Sequence, residues 1–384
     1  MTRLRLRLTA AVLAAAAAGC SGSAESAPAA PRQKDAAVPA TEASIPALVD
    51  SRDVYAADRP GLLSPAAAMA RSLVYVPDDD DATVHVIDPR TFKVVAVVKV
   101  GRLPQHVTPS YDLKTLWVDN DMSNSLTPID PRTGRFGKPV PVADPYNLYF
   151  TADGRHAVVV AERLARLDFR DAHTMALQRS VPMPCEGVDH ADFSADGRHA
   201  LFSCEFSGQL VWVDMVNERV DRTIDLPRQG SQRPKPQDVK TSPDGRVFYV
   251  ADENSDGVFL VDAHSLKVLR FLPTGLGAHG LYVSRDSKDL YITNRKGASV
   301  SVLSFASRSL RTVWLIPNSS PDMGGVSADG KVLWLSGRYS REVYAISTRD
   351  GHLIARIPVG GQPHGLCVWP QPGRYSLGHT GVLR

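Results

Sequence analysis

Short runs of alternating apolar residues, separated by polar turns, recur from about Leu73 to Trp369. "GLGAHGLYVSRDSKDLYITN", Gly275 to Asn294, shows the unit: an apolar run, a turn at Ser284-Arg285-Asp286, and a second apolar run ending in Thr293-Asn294. Period-two alternation over so few residues predicts strands, and the polar turn between them predicts a hairpin. Similar turns carry Asp112, Asp153, Asp196, Asp244, Asp286 and Asp329, spaced by 41, 43, 48, 42 and 43 residues. Asp favours a turn start, and the Gly that often follows supplies a positive φ. The longest interval holds "RQGSQRPKP", Arg228 to Pro236, which reads as an inserted loop. "WPQPG", Trp369 to Gly373, continues the series 43 residues on, with Pro372 in the aspartate position.

A third strand follows each hairpin, as in "LVWVD" (Leu210–Asp214) and "VFLVD" (Val258–Asp262), and then a fourth, as in "KVVAVVKVG" (Lys93–Gly101). Four short antiparallel strands per repeat make one propeller blade. Six full repeats run from about Leu103 to Gly360. Leu73 to Gly101 supplies a second, third and fourth strand, and Pro363 to Trp369 supplies a first. The fold class predicted is therefore all-β: a seven-bladed β-propeller of four-stranded antiparallel blades, closed by pairing N- and C-terminal strands. Eight blades remain the alternative, with Gly61 to Met69 as a first strand and "RYSLGHTG", Arg374 to Gly381, as a further strand.

"LYITN" (Leu290–Asn294), with "LWVDN" (Leu116–Asn120), "FYVAD" (Phe248–Asp252) and "LWLSG" (Leu333–Gly337), resembles the YVTN-repeat family of bacterial propellers over about Ser72 to Gly378. The resemblance implies the fold and leaves the function open, because that family includes surface proteins and uncharacterised exported ones. The haem d1 domain of cytochrome-type nitrite reductases is a related propeller, but no d1-binding motif carries over residue by residue.

The start of the chain reads as a targeting signal over residues 1–19. Arg3, Arg5 and Arg7 precede the apolar run Leu8 to Ala18, and "AAGC" ends at Cys20. The run is short for a bilayer span and closes on small residues before a cysteine. This resembles a bacterial lipoprotein signal, which implies lipidation of Cys20, export and anchoring on the extracytoplasmic face of the cell membrane. Residues 20–60, rich in Ala, Ser and Pro, read as a disordered tether, and 61–384 as the propeller. The formal charge of +3 belongs to the signal, whose three arginines have no acidic counterpart, so the remainder is neutral and gives no support for a nucleic-acid partner. A monomer is expected.

Residues just ahead of each first strand converge around a propeller's channel. Here they are His106, Asn147, His190, Asp238, His279, Asp322-Met323 and His364, so four of eleven histidines share one ring. The loops between second and third strands reach the same mouth and bring Asp119, Asn120, Glu162, Glu205, Asp252, Glu253, Asn294, Arg295 and Arg338. Imidazoles bind transition metals or carboxylates. The ring therefore reads as a ligand site for a small molecule or protein partner at the channel mouth. Two other readings stay open. One is a cofactor carrier holding a transition metal or haem d1-like group on His106, His190, His279 and His364. The other is an enzyme of the propeller lactonase type, using Asn147, Asp238 and Asp322.

Cys185 and Cys204 flank a predicted hairpin, and a disulfide between them competes with a copper or zinc site of Cys204, Glu205 and His190. Cys367 reads as a packed apolar residue. The chain has no C-x-x-C-H, Gly-x-Ser-x-Gly, H-E-x-x-H or P-loop, so catalysis has no motif to rest on. "GHTG", Gly378 to Gly381, reads as a fraying tail, with a fold-back presenting His379 to the channel as the alternative.

Overall fold

The apolar runs alternate weakly because both of their faces are covered. In strand Val247–Asp252, Phe248 and Val250 pack with Leu201 and Leu210 of the preceding sheet, whereas Val247, Tyr249 and Ala251 pack with Leu281 and Ile292 of the following one. The computed structural model, which describes residues 44–379 and 381–384, repeats this seven times. Seven apolar clusters each join two neighbouring sheets. Each fully buried Val or Phe on these faces contributes roughly 1.5–3 kcal/mol, and a lone sheet would expose half of them.

The sheets are the blades of a seven-bladed propeller. Blades 1 to 6 begin with the inner strands Pro104–Pro109, Asn147–Phe150, Val188–Phe193, Pro236–Thr241, Ala278–Val283 and Pro321–Val326. Blade 7 takes its inner strand from Cys367–Trp369 and its other three from Leu73–Asp78, Thr83–Asp88 and Lys93–Lys99, so the ring closes by the expected pairing. Gly61 to Met69 adds no eighth blade; it holds the short helix Pro65–Ala68.

The repeat's polar positions have local jobs. Ser284 Oγ donates to Asp286 Oδ1 at 2.7 Å and accepts from the Asp289 N–H at 2.9 Å, fixing the hairpin turn. Inner strands of blades 1, 3, 4, 5 and 6 each shift register between their first and fourth residues. Such a shift leaves backbone groups unpaired and re-aims side chains. A hydroxyl on the second strand fills the gap: the N–H of Gly280 donates to Thr293 Oγ1 at 2.7 Å, His190 to Ser203 Oγ at 3.1 Å, and Met323 to Ser336 Oγ at 3.1 Å. This is the role of Thr293 in "LYITN". Asn294 beside it donates to Ser299 and Ser301 Oγ at 3.0 Å each.

Two segments depart from the sequence reading. Residues 44–60, read as the end of the tether, lie against the propeller in part. Val54 to Ala57 are buried, the Val54 N–H donates to the Pro243 carbonyl at 2.8 Å, and the Tyr55 hydroxyl donates to the Thr241 carbonyl at 2.7 Å. The signal, Cys20 and the first part of the tether lie outside the described residues. Among those described, no helix is long and apolar enough to cross a membrane.

The closing stretch is not a fraying tail. Strands Ser376–Gly378 and Val382–Leu383 pair with each other, and Gly378 pairs with Tyr149 on the channel side of blade 2. Tyr375, Leu377 and Val382 join the apolar cluster between blades 2 and 3. Gly378 sits at φ +110° against the backbone of Leu148 and Tyr149, where any Cβ would collide. Arg384 is buried and donates to Asp192 at 2.8 Å.

Candidate functional site

The register shifts of blades 1, 3 and 5 span His106, His190 and His279, whereas His364 lies just ahead of the inner strand of blade 7. His106, His190, His279 and His364 are all buried, at 0%, 0%, 3% and 1% exposure. His379, 1% exposed, joins them from the closing hairpin. Ring centroids of His106, His190 and His379 lie 5.4, 5.1 and 4.7 Å apart, and His364 lies 5.1 Å from His106. Gly365 makes this packing fit, because a Cβ there would strike the His106 ring.

The partners divide the five imidazoles into two groups. His364 Nδ1–H donates to Asp322 Oδ2 at 2.8 Å, and His279 Nδ1 lies 3.2 Å from Asp322 Oδ1. Arg295 ties the same carboxylate to Glu253, at 3.1 and 2.8 Å. Burial opposes the Asp322 charge, but His279, Arg295 and His364 more than offset this and hold its carboxyl well below the usual range. The second group is His106, His190 and His379, from each of which one ring nitrogen lies within 4.8 Å of the others. His106 Nδ1–H donates to the Tyr146 carbonyl at 2.9 Å, which leaves the Nε2 lone pair facing inward. The Asn147 amide nitrogen spans His190 Nδ1 at 3.0 Å and His379 Nδ1 at 3.2 Å. Nε2 of His106, His190, His364 and His379 has no hydrogen-bond partner among the described residues, although Asp189 Oδ1 lies 3.2 Å from His190 Nε2, outside bonding geometry.

Burial lowers every one of these imidazoles. His106, His190, His279 and His379 fall well below their ordinary value, and His364 is pushed down to about 4. Desolvation is the largest cause for each, and neighbouring cations or imidazoles add to it. Metal binds to a neutral imidazole through a free lone pair: His106 presents one at Nε2, whereas the Asn147 amide occupies the Nδ1 lone pairs of His190 and His379, whose protons then sit on Nε2 until that amide is displaced or turned.

The channel is open at one end. Gln105, Tyr146, Glu162, Glu205, Arg338 and others line a depression of about 290 Å³ whose floor includes His279 and His364. Its blade 2–3 side is acidic: burial, then the charge of Glu205, pushes Glu162 up to about 8, and burial with both glutamates raises Asp189. The other end is stopped by Tyr55, Asp58 and the closing hairpin, around a cavity of about 40 Å³ that His379 also lines.

Other expected residues have structural roles. Asp238 accepts from the Val239 and Leu281 N–H groups at 3.1 and 2.9 Å, and stands 3.9 Å from His379 Nε2. Met323 points away to the Tyr282 hydroxyl, 3.8 Å from its sulfur. Asp119, Asn120 and Asn294 clamp strands and do not line the mouth. Cys185 and Cys204 form a disulfide with Cα atoms 6.1 Å apart, which removes Cys204 from a site with Glu205 and His190. Cys367 is buried. His379 stands outside the repeat; its signal in the sequence is the apolar alternation Tyr375, Leu377 before Gly378 and the pair Val382-Leu383 after Gly381. A haem-sized macrocycle does not fit, because the hairpin fills the channel and the imidazoles touch one another.

Similar folds occur in proteins of different roles. A hydrazine synthase chain from Kuenenia stuttgartiensis is 21% identical, with TM-score 0.63 over 76% of this chain and 97% of that one. The dihydro-haem d1 dehydrogenase NirN, solved in complex with DHE, is 15% identical, with TM-score 0.59 over 81% and 77%. A functionally unknown protein from Desulfotomaculum acetoxidans is 15% identical, with TM-score 0.62 over 78% and 99%. These likenesses establish the fold alone. No curated protein matches the sequence. The model of one family covers residues 32–372, and the chain belongs to that family, the YNCE-like β-propellers.

Proposed function

We propose that this chain is an exported, lipid-anchored binding module that takes a small ligand into its channel through the polar mouth. The observation that carries this reading is the one-ended channel: an open depression at one face, buried imidazole nitrogens without partners at its floor, and a stopper at the other face. Buried polar atoms without partners are costly, and a ligand that meets them recovers that cost. The fold holds the groups on seven rigid inner strands, which suits selective binding. Membrane attachment rests on the Cys20 signal and implies an extracytoplasmic working place.

The test is native mass spectrometry of the protein released from membranes of its own host. A bound mass is expected on the wild type and lost in Glu162→Arg, which places a cation at the acidic side of the mouth. A wild type that carries nothing under gentle release overturns the reading. For the anchor, Cys20→Ala moves the protein from the membrane to the soluble fraction; a variant that stays with the membrane removes that part.

A further inference from the structure

We propose that His106, His190 and His379 hold one divalent transition-metal ion of the Zn2+ or Cu2+ class, with the third ligand delivered by the closing hairpin. This names the ligand class of the channel and rests on the binding reading above.

The spacing carries the argument. A metal–nitrogen bond of about 2.0–2.1 Å places an imidazole centroid ~3.2 Å from the ion, so two rings at a tetrahedral angle have centroids about 5.2 Å apart. The three observed separations are 5.4, 5.1 and 4.7 Å. The rings are thus placed for one ion, and rotation about their own axes brings the nitrogens, now within 4.8 Å, to coordination.

The donor set and its surroundings agree. Three imidazoles favour Zn2+ or Cu2+ over hard ions such as Mg2+. His106 donates its other ring N–H to a backbone carbonyl, the arrangement that fixes a ligating tautomer. Two carboxylates border the trio: Asp189 at 3.2 Å from His190 Nε2 and Asp238 at 3.9 Å from His379 Nε2. Burial and the neighbouring acids raise Asp189 and Asp238, and a cation in the trio would draw both back toward their charged form. His279 and His364 are not part of the set: His364 donates to Asp322, His279 Nδ1 stands 3.2 Å from the same carboxylate, and neither offers a nitrogen to the cluster that lies within 4.8 Å.

The experiment strips the full-length protein with a chelator and titrates Zn2+ against a chromophoric competitor, with Mg2+ as the control ion. One equivalent of Zn2+ and no Mg2+ is expected. His190→Gln and His379→Gln should each weaken Zn2+ binding by more than the ~100-fold that losing an outer contact costs. His173→Gln, an exposed position away from the channel, should leave it unchanged. No Zn2+ uptake by the wild type, or an unchanged Kd in His379→Gln, overturns the proposal. Should His379→Gln fail to fold, Co2+ on the wild type decides. Intense visible bands of a low-coordinate site support the trio, and weak octahedral bands overturn it. A bound organic mass without metal uptake would keep the binding reading and remove this one.

Discussion

Arg384→Met tests whether the closing hairpin is locked into the channel. The Arg384 guanidinium is 2.8 Å from Asp192 and stacks over the Tyr55 ring at 4.9 Å, so one side chain joins the hairpin, blade 3 and the N-terminal segment. Removing one partner of a buried pair costs about 3–5 kcal/mol, because the other charge stays buried. Asp192 keeps the N–H groups of Thr241 and Phe193 at 2.9 and 2.7 Å, which favours the lower figure. Unfolding entropy of roughly 2.1 cal/mol/K per residue over some 340 ordered residues gives ~0.7 kcal/mol/K, so about 3 kcal/mol lowers Tm by ~4 °C. The assay is calorimetry of the wild type, Arg384→Met and the double variant Asp192→Asn/Arg384→Met. The double variant should recover about half of the loss, since it removes the stranded charge. A Tm of Arg384→Met within ~1 °C of wild type, or no recovery in the double variant, refutes the reasoning. The pH dependence has a definite sign. Burial raises the Asp192 carboxyl, and Arg384, Lys240 and two backbone N–H groups more than offset it, leaving it lowered. The pair therefore stabilises fully above about pH 4, the unfolded carboxyl's value, and the contribution fades as pH falls below it.

Gly378→Ala should detach the hairpin, because the added Cβ meets backbone atoms of Leu148 and Tyr149 that cannot yield. Limited proteolysis should then cut after Trp369 while strand content by circular dichroism persists; a protected hairpin in this variant would contradict the docking. Cys185→Ser/Cys204→Ser opens a loop with a sequence separation of 19 and should cost about 3 kcal/mol. Reductant should lower the wild-type Tm and leave the double variant unchanged; an unmoved wild type would show that the bridge contributes nothing.

The repeat made the blades legible. The spacing of Asp112 to Asp329 reported the hairpins, and the complementary fragments at the two ends reported the closure, because a propeller needs every sheet to complete its neighbours' cores. The shared position of His106, His190, His279 and His364 was legible for the same reason. Their division into two groups was not. It depends on Asp322 and Arg295 reaching across blades, a contact with no periodicity along the chain. His379 lies beyond the last blade, so no register argument could place it. The packing of Tyr375, Leu377 and Val382 against blades 2 and 3, the pairing of Gly378 with Tyr149 and the Arg384–Asp192 contact carry it into the channel. Residues 44–60 were similarly opaque, because Val54, Tyr55 and Asp58 stand in a polar, Ala- and Pro-rich stretch and are anchored by single hydrogen bonds and an ion pair to Arg285.

Anomalous diffraction at the zinc edge, from crystals of chelator-stripped protein soaked in Zn2+, tests the central claim most directly. One strong peak is expected in the channel, about 2.0–2.1 Å from a ring nitrogen of each of His106, His190 and His379. A channel without a peak, or a peak held by His279 and His364 at Asp322, would contradict it.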